Sequence, residues 1–107
     1  MEPSDFKDKS NLAFDLWLSK RNALEKLKSR QLIAHEGHLF RADPSTICFV
    51  RTMKNDYPQG FSMLDCNENP YLVSDPDHFL QCLLERHQES VNEYMSLYKQ
   101  WQSKNNG

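Results

Sequence analysis

From residue 80 onward, Leu80, Leu84, His87, Val91, Tyr94, Tyr98 and Trp101 recur at steps of four, three, four, three, four and three. That rhythm keeps one side of an α-helix apolar and has no counterpart in a strand, whose side chains alternate with a period of two. The start of the helix is marked as plainly. Asp75 is a good N-cap, Pro76 suits the first helical position, and Asp77 sets negative charge at the positive end of the helix dipole. The spacing predicts a helix running to about Lys104, before Asn105-Asn106-Gly107 ends it.

The other end of the chain carries a second helical segment. Leu12, Ala13, Leu16, Ala23, Leu24, Leu27, Ile33 and Ala34 are its apolar positions, Ser10 is the expected N-cap and Gly37 the expected left-handed stop. Residues 1–9, with Pro3 and alternating charges, read as a flexible lead-in. Between the helices the period changes. His38–Ala42, Thr46–Lys54, Phe61–Cys66 and Tyr71–Val73 are short runs rich in aromatic and β-branched residues, separated by turn formers. Asp43-Pro44-Ser45 suits a type I turn and Asn67-Glu68-Asn69-Pro70 a tight reversal, and connections this short force antiparallel pairing. The expected architecture is α+β in one domain, residues 1–107: a long N-terminal helix, a short antiparallel meander of three to four strands, and a long C-terminal helix, with the two helices packed antiparallel.

A chain of 107 residues supports one hydrophobic core and is short for two domains. No stretch approaches the roughly 20 apolar residues that cross a bilayer, and the N-terminus is polar, so a cytoplasmic protein without membrane contact is expected. Cys48, Cys66 and Cys82 are an odd set without CxxC spacing, which suits a reducing compartment. The net charge is −2, but residues 1–54 hold 10 Lys/Arg against 7 Asp/Glu and residues 55–107 hold 3 against 8. Opposite charge in the two halves suits charges solvated on opposite faces, a fold whose ends meet, or two copies paired head to tail.

Helix length then carries the main functional inference. Helices of ~24 and ~28 residues are about 36 and 42 Å long, whereas strands of five or six residues span ~17–20 Å. Both helices must overhang the sheet, and antiparallel packing sets Leu12–Leu18 beside Tyr94–Trp101. In that overhang Leu12, Ala13, Phe14, Leu16, Trp17 and Leu18 point around most of the helix circumference, more than one partner helix covers. The expectation is a second contact, with another protein or with another copy of the chain as a homodimer, through Phe14, Trp17, Leu18, Tyr94, Tyr98 and Trp101.

Other constellations are weaker. His35 and His38 flank Glu36-Gly37 and could join Cys48 or Cys66 at zinc, but this is not the i, i+4 pair of a helical metal site. Cys82 and His87 stand five apart, on different helix faces, which argues against a Cys-His nucleophile pair; Cys82 is expected as a small apolar core residue and His87 in the seam as a satisfied interior histidine, a register device or a pH-sensitive group. Glu85, Glu89 and Glu93 form a ladder that faces water or a basic partner. Lys20, Arg21, Lys26, Lys28 and Arg30 crowd one stretch of the first helix and define the second functional reading, a small nucleic-acid-binding regulator. There is no glycine-rich phosphate loop and no nucleophile elbow. No residue is singled out as catalytic, metal-binding or cofactor-binding, and the expectation is a non-catalytic protein without a cofactor.

The layout as a whole, Leu12 to Ala34, the middle carrying Cys48-Phe49-Val50-Arg51 and Gly60-Phe61-Ser62-Met63-Leu64-Asp65, then Asp75-Pro76-Asp77-His78-Phe79, resembles small accessory proteins of temperate phages and other mobile elements. The resemblance lies in size and style over the whole chain. It implies a regulatory or accessory role and assigns no role to any single residue.

Overall fold

A computed structural model describes residues 3–106, with side chains described for residues 11–103. The chain runs α1 (Pro3–Arg30), β1 (Leu32–His35), β2 (His38–Arg41), α2 (Pro44–Asp56), β3 (Phe61–Leu64), β4 (Pro70–Val73) and α3 (Pro76–Asn106). The fold is α+β, with two long helices packed against each other and four antiparallel strands between them in sequence. The α1 backbone is helical from Pro3, ahead of the expected start at Ser10; the side chains of the expected lead-in, residues 1–9, lie outside the described range.

Two local expectations are corrected. The first helix stops at Arg30, and Leu32–His35 forms a strand instead of the last turn of that helix. Glu36 and Gly37 take φ of 50° and 81°, the two left-handed residues of a tight hairpin turn, so Gly37 reverses a strand and does not cap a helix. Thr46–Lys54 lies in α2 and is not a strand. Asp43 caps that helix by accepting the Thr46 N–H at 2.9 Å, and Pro44 stands in its first turn. The residues α2 buries, Ile47 and Val50, are three apart, and half-buried Met53 follows three further on. This is a helical repeat, and it won over the alternation of Ile47, Phe49, Arg51 and Met53.

The four strands consequently form two hairpins separated by α2. One backbone bond joins them, the Cys66 N–H donating to the Leu39 carbonyl at 2.8 Å. Around the hairpins sits the core: Phe40, Ala42, Ile47, Val50, Phe61, Tyr71, Val73, Phe79, Leu80 and Leu83. Phe40 and Phe79 meet edge to face with centroids 4.9 Å apart.

Beyond this head the molecule is a rod. It measures 68 × 26 × 21 Å and has a radius of gyration of 19.8 Å, against about 13 Å for a compact chain of this length. The cause is helix length. α1 has 28 residues and α3 has 31, about 42 and 46 Å at 1.5 Å per residue, while each strand has four residues and reaches only ~13 Å.

Candidate functional site

The two helices hold each other near the head. Glu93 of α3 accepts from Arg30 at 2.6 Å and faces Lys26 at 3.8 Å, and Ala23 and Leu27 of α1 line a narrow crevice with Ser90, Tyr94 and Leu97 of α3. Lower-numbered α1 residues therefore lie along higher-numbered α3 residues, the antiparallel arrangement. Among the described side chains of α1, Ala23 is the buried one, and about 100° per residue fixes the other positions relative to it. Leu12 and Leu16 return to the α3-facing side, within about 20° of Ala23. Trp17, Phe14 and Leu18 stand at about 120°, 180° and 220°, on the side turned away from α3.

This end of α1 is exposed on both sides, Leu12 at 70% included. Every residue from 11 to 22 is exposed; Phe14 is 58% and Trp17 53% accessible. The two rings are 5.9 Å apart, and the Arg21 guanidinium lies 5.5 Å from the Trp17 centroid, a cation–π contact. On α3 the expected contact residues divide. Tyr94 and Trp101 are half-buried on the α1-facing side and pack edge to face at 6.2 Å, whereas Tyr98 is exposed. The six residues are thus two groups: an outward stripe of Phe14, Trp17 and Leu18, and an inner pair, Tyr94 and Trp101, with Tyr98 at the margin.

The buried seam of α3 runs one position off the expected heptad in every other step. Leu80, Leu83, His87, Ser90, Tyr94, Leu97 and Trp101 line it, so Ser90, only 2% exposed, occupies the place expected for Val91. Ser90 is accommodated because its hydroxyl donates to the His87 carbonyl at 2.7 Å. His87 is held where the rod meets the head. Its Nδ1 lies 3.0 Å from the Ala42 carbonyl, which can only accept, so Nδ1 carries the hydrogen. The Gln31 carboxamide is 3.3 Å from the same nitrogen, and its oxygen is the end that suits an N–H. The Gln31 backbone carbonyl accepts the Ala42 N–H at 2.6 Å, so one knot joins α1, β2 and α3.

The basic residues expected to touch nucleic acid are all exposed, and three of them stand near carboxylates of the same chain. Lys26 and Arg30 share Glu93, Arg21 lies 3.6 Å from Glu25 as well as over Trp17, and Lys20 and Lys28 are exposed. The acidic ladder is similarly occupied: Glu93 serves α1, Glu85 accepts from Gln81 at 3.0 Å, and Glu89 stands 4.0 Å from Arg86.

Polar chemistry in the head serves the hairpins. Asp65 accepts the Asn67 and Asn69 N–H groups at 2.8 and 2.9 Å and lies 2.7 Å from the His38 Nδ1. The Asn69 N–H does most to hold this carboxyl below its usual range; burial opposes it, and the His38 ring and Asn67 N–H reinforce it. The Tyr71 hydroxyl donates to Glu36 at 2.6 Å, and burial first, then that carboxylate, push the phenol up to about 12. His35 packs on Phe79, and Cys48 and Cys66 are exposed. Cys82 is half-buried with its Sγ 3.6 Å from the His78 Nε2, at the i, i+4 spacing that shares a helix face. Among the described residues no group of three or more His, Cys, Asp or Glu side chains is placed to hold a metal, and no helix is long and apolar enough to cross a membrane. No protein-family model matches the chain, and neither the curated proteins nor the solved structures contain a significant match.

Proposed function

We propose that this is a non-catalytic binding protein that engages another protein through its helical hairpin, with Phe14, Trp17 and Leu18 at the centre of the contact and Tyr98 at its edge. One observation carries the reading: a stripe of large apolar side chains lies on the side of α1 turned away from α3, outside the core that holds the fold. Phe14 and Trp17 contribute nothing to the head, and aromatic residues on an exposed surface are where interface energy concentrates. Tyr94 and Trp101 support the contact from beneath by bracing the hairpin. The resemblance of the layout to accessory proteins of phages and mobile elements fits such a role.

The alternative, a nucleic-acid regulator acting through α1, has weaker support because Arg21, Lys26 and Arg30 already face carboxylates. A photo-crosslinking residue placed at position 14 or 17, with a control at exposed Gln59 on the head, tests the first reading in the native cell. The expected outcome is a discrete protein adduct from positions 14 and 17 and none from position 59. Absence of any adduct from the hairpin contradicts it. Binding of duplex or single-stranded nucleic acid that weakens steeply with salt would favour the alternative.

A further inference from the structure

We infer that the head carries a second binding site: a cleft along the open edge of β3 that receives the C-terminal tail of another protein as an added strand, its carboxylate against Arg41. The site is separate from the hairpin surface, and neither reading needs the other.

The hydrogen bonds around β3 assign the open edge. In an antiparallel pair, alternate residues bond across the ladder, and those between them turn their N–H and C=O outward. The Asp65 N–H donates to the Asn69 carbonyl at 2.9 Å, so Asp65, and by alternation Met63 and Phe61, bond inward toward β4. Ser62, Leu64 and Cys66 therefore point outward. Cys66 is answered by β2 through its bond to Leu39; among the described residues no backbone group answers Ser62 or Leu64. From Phe61 to Leu64 the strand has no charge and no proline, so it lacks the devices that keep an idle edge from pairing.

Space lies beside this edge. A recess of about 270 Å³ opens between Phe40 and Arg41 of β2 and Met63, Leu64, Asp65 and Cys66. Consecutive strand residues point to opposite faces of a sheet, so a recess lined by four in a row follows the edge of the strand and not one face. A second recess, of about 470 Å³, shares Thr46, Met63 and Leu64 with the first and reaches Phe49 of α2. Leu64 is 59% and Phe49 46% exposed, which gives the cleft walls for a large apolar side chain.

The occupant follows from what lines the cleft. Unanswered N–H and C=O groups at alternate residues are complementary to another extended backbone. The Cys66–Leu39 bond closes one end, so a strand laid along β3 must stop there, and a chain end fits where a through-running segment does not. Arg41 lines the recess at this closed end; it is exposed, and among the described residues no carboxylate lies within ion-pair reach of it. The neighbouring acids are already engaged. Asp65 holds the Asn67 and Asn69 N–H groups and faces His38, and Asp43 caps α2. A tail ending at Arg41 runs parallel to β3, takes the bonds of Ser62 and Leu64, and sets its carboxylate on the guanidinium. Gln59 lines neither recess.

Titration of the isotope-labelled full chain with a positional library of short synthetic peptides, followed by amide chemical shifts, tests this. Peptides with a large apolar residue near a free C-terminus are expected to bind saturably and to shift the amides of Thr46, Phe49, Ser62 and Leu64. Amidating the C-terminus is expected to weaken binding ~10-fold or more, the loss of a charge-assisted contact. Arg41→Gln is expected to remove the difference between acid and amide. Peptides methylated at successive backbone nitrogens are expected to lose binding at alternate positions, a readout that leaves the protein unaltered. Ser62→Pro, which removes only an outward N–H, is expected to abolish binding from the other side. Absence of any peptide binding at millimolar concentration overturns the proposal. So does binding indifferent to nitrogen methylation, which marks a side-chain pocket, or equal for acid and amide, which marks a groove for internal segments. A chain that sediments as a dimer and becomes monomeric in Ser62→Pro also overturns it, because a second copy then occupies the edge.

Discussion

The head and the rod treat the same residue types in opposite ways. Phe40 and Phe79 are 1% exposed, at the centre of a core that also ties down both hairpins and α2; Phe14 and Trp17, equally large, are more than half exposed on a helix whose residues 11 to 22 are all in contact with water. Phe40 and Phe79 stabilise the fold by leaving water. Phe14 and Trp17 stay in water in the single chain, unlike Tyr94 and Trp101 of the same rod, which are half-buried between the helices. The difference separates residues that hold the fold together from residues that do not, within one chain.

Substitutions should sort by region and not by residue size. The largest loss is expected from Phe79→Ala, about 3–5 kcal/mol, the cost of a cavity beneath both hairpins, read by denaturant unfolding with helical circular dichroism. Asp43→Ala removes the cap of α2 and should cost ~1 kcal/mol, and Tyr71→Phe, which deletes the bond to Glu36, a similar amount. Arg30→Ala breaks an exposed ion pair with Glu93 and should cost ~0.2–1 kcal/mol, less in high salt. Trp17→Ala, measured where the chain is monomeric, should fall within about 0.5 kcal/mol of zero. A loss there comparable to that of Phe79→Ala would erase the comparison.

Two ionisable groups sharpen the same contrast by pH, because both lie in the head. Asp65 has its folded-state pKa lowered from 3.8, so the stability it adds is present above that value and is lost as the pH falls through the lower folded value. Asp65→Asn should flatten the acid limb of a stability profile. Tyr71 is raised from 10.0 to about 12, so its contribution is complete below pH 10 and is lost as the pH rises toward 12. One phenolate should appear late in an alkaline absorbance titration, and Tyr71→Phe should remove it.

The rod was more legible in the sequence than the head. Apolar spacing and the Asp75-Pro76 cap are local signals, and they place α3 and predict an overhanging hairpin. Asp43-Pro44 is the same dipeptide as Asp75-Pro76, yet it reads as a turn because the residues after it, Ile47 to Met53, satisfy an alternating pattern as well as a helical one. Only packing decides between them: Val50 is fully buried while Phe49 is 46% exposed, the reverse of what alternation would give. The turn at Glu36-Gly37 was hidden because Ile33 and Ala34 continue the helical spacing of α1. Ser90 and Gln31 carry no apolar signal at all, and their burial depends on partners distant in sequence or on the local backbone. At the site, exposure of Phe14 and Trp17 could be reasoned from the crowding of apolar residues around one helix, whereas the pairing of Lys26 and Arg30 with Glu93 required knowing the antiparallel register.

The most direct test of the account is the accessibility of Trp17 in the isolated chain. With Trp101→Phe leaving Trp17 as the lone indole, collisional quenching by acrylamide is measured at a concentration where the chain is monomeric. The account predicts quenching close to that of a free indole with water-like emission, and protection only when a partner is added. Blue-shifted, poorly quenched emission from the dilute monomer would show that the chain covers its own stripe and would contradict it.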